Sequence, residues 1–178
     1  QAVILAIDPG PLTSGVLKVM DEGCLPVATG CALFGEDLPN EKALDLIGGA
    51  SLVIIEGMSF QGKMAGQEVL DTAFWIGRFF ECANRDVAKY AKSDNTVVIK
   101  RREVLRLLKC ENDAQVRALM IEVYGPPKVK ELVTGTGKQG QPLKPKTVVS
   151  QGPTYGVTGH AWQALGLYHA WKVQNGQA

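Results

Sequence analysis

Residues 2–19 read AVILAIDPGPLTSGVLKV, and this stretch decides the fold. Val3 to Ile7 is aliphatic almost without break, which suits a strand covered on both faces. The run ends in an acid, Asp8, which leads into Pro9, Gly10, Pro11 and a small-residue turn. A second apolar run, Gly15 to Met20, follows the turn, and a third spans Leu25 to Phe34. With DEG at 21–23 and FGED at 34–37 as turn signals, the three runs predict strands in an antiparallel meander. Asn40 to Ile47 then reads as a short helix, capped by Asn40 and stopped by Gly48 and Gly49. SLVIIEG at 51–57 repeats the opening pattern, because a buried strand, Leu52 to Ile55, again delivers an acid, Glu56, into a glycine.

Downstream, Val69, Ala73, Ile76, Phe80, Ala83, Val87 and Tyr90 recur every three or four residues, predicting one long amphipathic helix over 65–92. Thr96 to Ile99 is a fifth strand, and two helices follow over Arg102–Leu108 and Asp113–Tyr124, the second capped by Asn112. From 125 to 159 the pattern dissolves into Gly, Pro, Lys and Thr and reads as a long, flexible, basic loop, centred on 125–157. A last helix runs from about Val157 to Val173. The order of elements predicts a mixed α/β fold, with a five-stranded sheet flanked by helices, and 178 residues suit one domain over 1–178.

Composition narrows the field. Hydrophobic residues at 46% and charged residues at 21% match ordinary globular proteins, which excludes disordered and fibrous classes. No apolar run is long enough for a bilayer and no secretory leader is visible, so no membrane partner and a cytoplasmic location are expected. Cys24, Cys31, Cys82 and Cys110 lack the pairing that zinc or redox motifs need, which leaves buried thiols as their reading. GTGKQG at 135–140 fails as a phosphate loop, because Leu132 stands where the first glycine is needed and Gln139 follows Lys138.

The chemistry lies in the two acid-ended strands. Carboxylates at the ends of buried strands lose hydration unless a positive group compensates, and carboxylate oxygens are preferred ligands of magnesium. If the strands are neighbours, Asp8 and Glu56 converge; the alternative is that each caps a helix or meets solvent. A third group comes from VTGHAWQALGLYHAW at 157–171, where His160 stands near a helix start with Ala164 and Leu167 beneath it. A capping or core role is the plainer reading of that histidine taken alone.

Together, IDPGPLTSGV at 7–16, VIIEG at 53–57, the long helix and GHAWQALGL at 159–167 resemble the motif blocks of RuvC-type Holliday junction resolvases, especially the short phage-type members. The resemblance spans nearly the whole chain and implies a ribonuclease H-like fold. It also implies a two-metal nuclease, with Asp8, Glu56, His160 and Gln163 as catalytic positions and Asp8, Glu56 and His160 as ligands of Mg²⁺, with Mn²⁺ as a substitute. His160 and Gln163 stand where last-helix acids are expected, so the cage has less negative charge. The implied partners are branched DNA and a second copy of the chain, in a bacterial or phage-infected cell.

Charge distribution points the same way. Lys128, Lys130, Lys138, Lys144 and Lys146 face one acid, Glu131, so this segment carries net +4 in a chain of net +1. Phosphate neutralisation needs such an asymmetry, although lysines on a solvated loop produce it too. Lys100, Arg101 and Arg102 form a second basic cluster. In MSFQGKMAG at 58–66 the resemblance implies junction-probing positions at Phe60 and Gln61, beside Lys63, while Ser14 and its glycine neighbours serve the turn or a phosphate. Two readings stand: a junction endonuclease, and a catalytically weak or inactive module that binds branched DNA. An actin-like sugar kinase needs two such domains, and the length supplies one.

Overall fold

The structure is a computed structural model that describes residues 3–20, 33–59, 66–85, 95–133 and 146–177. Five strands form the central sheet: β1 (Val3–Asp8), β2 (Thr13–Met20), β3 (Leu33–Pro39), β4 (Leu52–Gly57) and β5 (Thr96–Lys100). Their order is β3-β2-β1-β4-β5, antiparallel from β3 to β1 and parallel from β1 to β5. The expected antiparallel start and mixed five-stranded sheet are therefore present. The parallel centre explains the aliphatic runs: Ile4, Leu5, Ala6 and Ile7 are all at most 2% exposed, since both faces of β1 are covered.

Alternation along the strands sorts the core in two. Leu5, Ile7, Val16, Val53 and Ile55 face α1 (Asn40–Ile47) and α2 (Gln67–Arg85), where Ala43, Ile47 and Phe79 meet them. Ile4, Ala6, Leu17, Val19, Ile54 and Ile99 face the other way, towards α3 (Arg101–Leu108), α4 (Asp113–Tyr124) and α5 (Ala161–Gln174). Every residue of α5 from Ala161 to Tyr168 is buried, because this helix lies between the sheet and the α3–α4 pair. At Gly166 an added Cβ would meet Val116 Cγ1 at 2.5 Å, so the missing side chain lets α4 close on α5.

Four expectations change. The third strand is described over Leu33–Pro39 and so runs past its expected end at 34, while the 25–32 part of the expectation lies outside the described residues. FGED is strand rather than turn, because β3 is an edge strand on which Glu36 can meet solvent and Asp37 the start of the last helix, while Gly35 admits Val157 and Ala161 against its backbone. The 125–159 region is no continuous loop: β6 (Lys128–Val133) and β7 (Lys146–Gln151) pair as an antiparallel ribbon, separate from the central sheet. Lys128, Lys130, Thr147 and Val149 are exposed on one face of the ribbon, so no buried apolar stripe marks that face in the sequence. Finally, Asn40 does not cap α1; Pro39 takes that position with no side-chain bond. Asn112 does cap α4, accepting from the Gln115 N–H at 3.0 Å. The long helix is described over Gln67–Arg85, and 86–92 lies outside the described residues. No helix among the described residues is long and apolar enough to cross a membrane.

The Asn40 side chain instead works across the sheet. It is fully buried, accepts from the Ser14 hydroxyl at 2.6 Å and donates to the Gly10 carbonyl at 3.0 Å. This clamp holds the Pro9–Leu12 turn beside Asp8. Asn40→Ala strands a buried hydroxyl and a carbonyl, so it should lower stability by about 1–3 kcal/mol. Chemical denaturation measures the change, and an unaltered midpoint would contradict the clamp.

Candidate active site

The β1–β4 pairing runs from Ile4↔Leu52 to Ile7↔Ile55, which makes Asp8 and Glu56 the next residues on adjacent parallel strands. Both continue the Ile4–Ala6 and Ile54 side of the sheet, so alternation aims both carboxylates at the start of α5. The Asp8 and Glu56 side chains are only 15% and 9% exposed. Each strand is apolar until this point because both of its own faces are covered, and only the tips reach a polar cleft.

Three contacts set the start of α5. The Asp37 carboxylate on β3 accepts from the Ala161 N–H at 3.2 Å, filling one of the orphan donors of the helix. Gly159 has φ +48°, and a Cβ there would strike Asp37. Gly15 on β2 lies so close to the His160 backbone that a Cβ would sit 2.3 Å from its carbonyl. His160 is thereby brought over β1, with Nδ1 3.5 Å from Asp8 Oδ2 and two thirds of its side chain exposed. Gln163, three residues on, is buried on the same side.

A cation already stands among these groups. Arg101, the first residue of α3, follows β5 directly, and its Nη1 donates to Glu56 Oε2 at 3.0 Å. Its Nη2 donates to Gln163 Oε1 at 3.0 Å and to Asp113 Oδ1. Asp8, Glu56, Arg101, Asp113, His160 and Gln163 together line one cleft of about 490 Å³.

Burial pushes the Asp8 carboxyl up to about 7; Arg101 opposes the shift, and Asp113 and Asp37 add to it. Burial also pushes Glu56 up to about 8, with Asp8 adding to the rise and Arg101 only partly offsetting it. Burial disfavours the Arg101 charge as well, but Glu56, Asp113 and Asp8 outweigh it and hold the guanidinium protonated. Two desolvated carboxyls on one spot are short of positive charge. Among the described residues no trio of Asp, Glu, His and Cys forms a ready cage for a metal. Oxygen donors at Asp8 and Glu56 nonetheless fit a magnesium-class ion, which keeps several water ligands and needs only one or two carboxylates.

Of the expected site residues, Asp8, Glu56, His160 and Gln163 come together. Ser14 does not face a ligand: it is fully buried and its hydroxyl is committed to Asn40, since the turn needs it. Arg101 turns into the cleft, drawn by Glu56, instead of lying along the surface. Lys100 and Arg102 are exposed and, with Arg106, line a neighbouring groove beside Met58 and Ser59. Phe60, Gln61, Lys63, Lys138 and Lys144 lie outside the described residues, and Lys146 begins β7. Sequence reasoning missed the inward role of Arg101 and the parts played by Asp113 and Asp37. A basic residue directly after a strand parallel to an acid-ended one was the available signal for Arg101.

No family model matches the sequence, and no curated protein matches it. Among solved structures, one described as T. thermophilus RuvC in complex with Holliday junction substrate aligns over 100% of this chain and 98% of its own. Its TM-score is 0.52 at 15% identity. A second Thermus thermophilus RuvC structure aligns over 99% and 98%, with TM-score 0.51 and 15% identity. The fold of this chain is therefore RuvC-like, within the ribonuclease H-like architecture.

The raised carboxyls make metal-free stability pH-dependent. Unfolded, the two groups titrate at 3.8 and 4.5; folded, they keep their protons to about 7 and about 8. The folded state then binds more protons within that window, so stability is full at the acidic end and is lost as pH rises through it. Asp8→Asn removes one of the competing charges and should flatten this loss by an amount on the order of 1 kcal/mol. Thermal melts in chelator across about pH 5 to 9 test it; wild-type stability rising with pH, or an equal fall in both proteins, would refute the assignment.

Proposed function

We propose that this chain is a metal-dependent, structure-selective endonuclease that hydrolyses phosphodiester bonds in Holliday or other branched DNA junctions. The observation that carries the reading is the meeting of Asp8 and Glu56, buried on adjacent parallel strand tips, under the exposed imidazole of His160. The RuvC-like fold supports it, as does the fact that one structural neighbour is described in complex with a Holliday junction substrate.

Asp8 and Glu56, with His160 beside Asp8, are the residues that would hold Mg²⁺ or Mn²⁺. An ion held there would supply the Lewis acidity that activates a water and offsets the charge developing on the departing oxygen. The chain itself supplies the rest. His160, at the mouth of the cleft, either ligates that ion or passes a proton between the reacting water and solvent. Arg101, itself held by Gln163, holds Glu56 in place, and the Asn40–Ser14 clamp fixes the turn that follows Asp8. Lys100, Arg102 and Arg106 offer a basic groove beside the cleft, and Lys128 and Lys130 lie exposed on β6, both suited to phosphate backbone.

A four-way junction has two-fold symmetry and needs two cuts, so a homodimer suits it. The face of α2 offers the surface. Phe79 is fully buried against the sheet and Trp75 is half-buried; the exposed apolar groups of α2 are Leu70, Phe74 and Phe80, with the Arg78 guanidinium over the Phe74 ring. The second reading, a branched-DNA-binding module that does not cut, draws on one observation: Arg101 and Gln163 occupy the ground where a further acid would strengthen metal binding.

Cleavage of a synthetic mobile four-way junction in Mg²⁺ or Mn²⁺ separates the two. Wild type should nick symmetrically, and Asp8→Asn should lose about 100-fold or more in rate while binding the junction as before. Binding without any cutting by wild type would leave the module reading. Phe74→Glu should convert the dimer to a monomer in sedimentation velocity without lowering the melting temperature; an unchanged sedimentation coefficient would move the interface elsewhere.

A further inference from the structure

Resting on the nuclease reading for its setting, the inference concerns charge. Lining the cleft, Asp8, Glu56 and Asp113 carry three negative charges when ionised; Asp37, whose charge also reaches Asp8, is committed to the N-terminus of α5. Arg101 is held by side-chain oxygens from three elements: Glu56 on β4, Asp113 on α4 and Gln163 on α5. Its side chain is only 20% exposed, and an arginine cannot shed its proton to relieve crowding. The guanidinium thus leaves two negative charges uncompensated, the amount that one divalent ion neutralises.

Donor positions agree with that count. Glu56 Oε2, Gln163 Oε1 and Asp113 Oδ1 are engaged by Arg101. Asp8 and His160 line the same cleft, and neither is engaged by Arg101 in a hydrogen bond; Nδ1 of His160 stands 3.5 Å from Asp8 Oδ2. A neutral amide at Gln163 suits an N–H donor, and as a ligand for a second dication it is weaker than a carboxylate. An arginine fork is also the preferred partner of a phosphate, so the same guanidinium can meet a phosphodiester lying in the cleft.

We propose that Arg101 is a resident cation that takes the place of a divalent ion beside Glu56, so that each protomer loads a single divalent ion, on the Asp8–His160 side. The site is built for one exchangeable metal and one fixed positive charge.

Counting Mn²⁺ per protomer, by titration calorimetry and by the electron paramagnetic resonance signal of free ion, tests this with manganese chloride alone. Wild type and Arg101→Lys should bind one ion. Arg101→Gln, which keeps hydrogen-bonding capacity without charge, and Arg101→Ala should bind two, with folding checked by circular dichroism. Two ions or none in wild type overturns the proposal, and so does a count in a folded Arg101→Gln equal to that of wild type. If Arg101→Gln does not fold, the wild-type and Arg101→Lys counts still decide. Junction cleavage is scored separately: one ion with no cutting removes the nuclease reading and leaves the resident cation standing, whereas cutting with two ions does the reverse.

Discussion

Two carboxylates kept out of water within reach of one another govern this molecule. Their closeness follows from the parallel pairing of β1 with β4, and their burial from the helices that cover both faces of the sheet. Such a pair is stable only when protonated or matched by positive charge. Arg101 matches part of it. The remainder is the electrostatic drive for a cation to enter, and it is fixed by backbone pairing rather than by flexible side chains.

The position of His160 depends on the same economy of space. No side chain of α5 reaches out to place it; the backbone is pressed against Gly15, turned by Gly159 and tied by Asp37. These contacts come from β2 and β3, which carry no acid of the pair. Each strand of the meander therefore has a share in the site: β1 delivers the carboxylate, β2 makes room, and β3 caps the helix. This is why an antiparallel extension of the parallel sheet matters to chemistry as well as to packing.

Much of this was legible in the sequence because burial leaves strong marks. The Val3–Ile7 and Leu52–Ile55 runs identified both central strands, and an acid ending each one identified the cleft. The spacing from Val69 to Ala83 revealed α2, and Ile76 and Ala83 of that stripe pack against the core, although the buried ring is Phe79 rather than Phe80, its neighbour about 100° round the helix. What stayed hidden has a physical reason. The β6–β7 ribbon leaves Lys128, Lys130, Thr147 and Val149 exposed on one face, and so that face lacks an apolar stripe. Gly35, Glu36 and Asp37 look like a turn, because glycine and acids are common there, yet on an edge strand they serve contact and capping. The inward pairing of Arg101 depends on where β5 ends against β4, a register that local patterns do not encode.

The ribbon has a consequence of its own. Its base is tied by the Gly152 N–H to the Pro127 carbonyl and by the Thr154 hydroxyl to the Gly125 carbonyl, at 3.0 and 2.8 Å. Between those ties its pairing is internal. Such an appendage is a cassette: it can be recoded without reshaping the floor of the cleft, leaving its exposed lysines free to diversify while the Asp8–Glu56 pair stays unchanged.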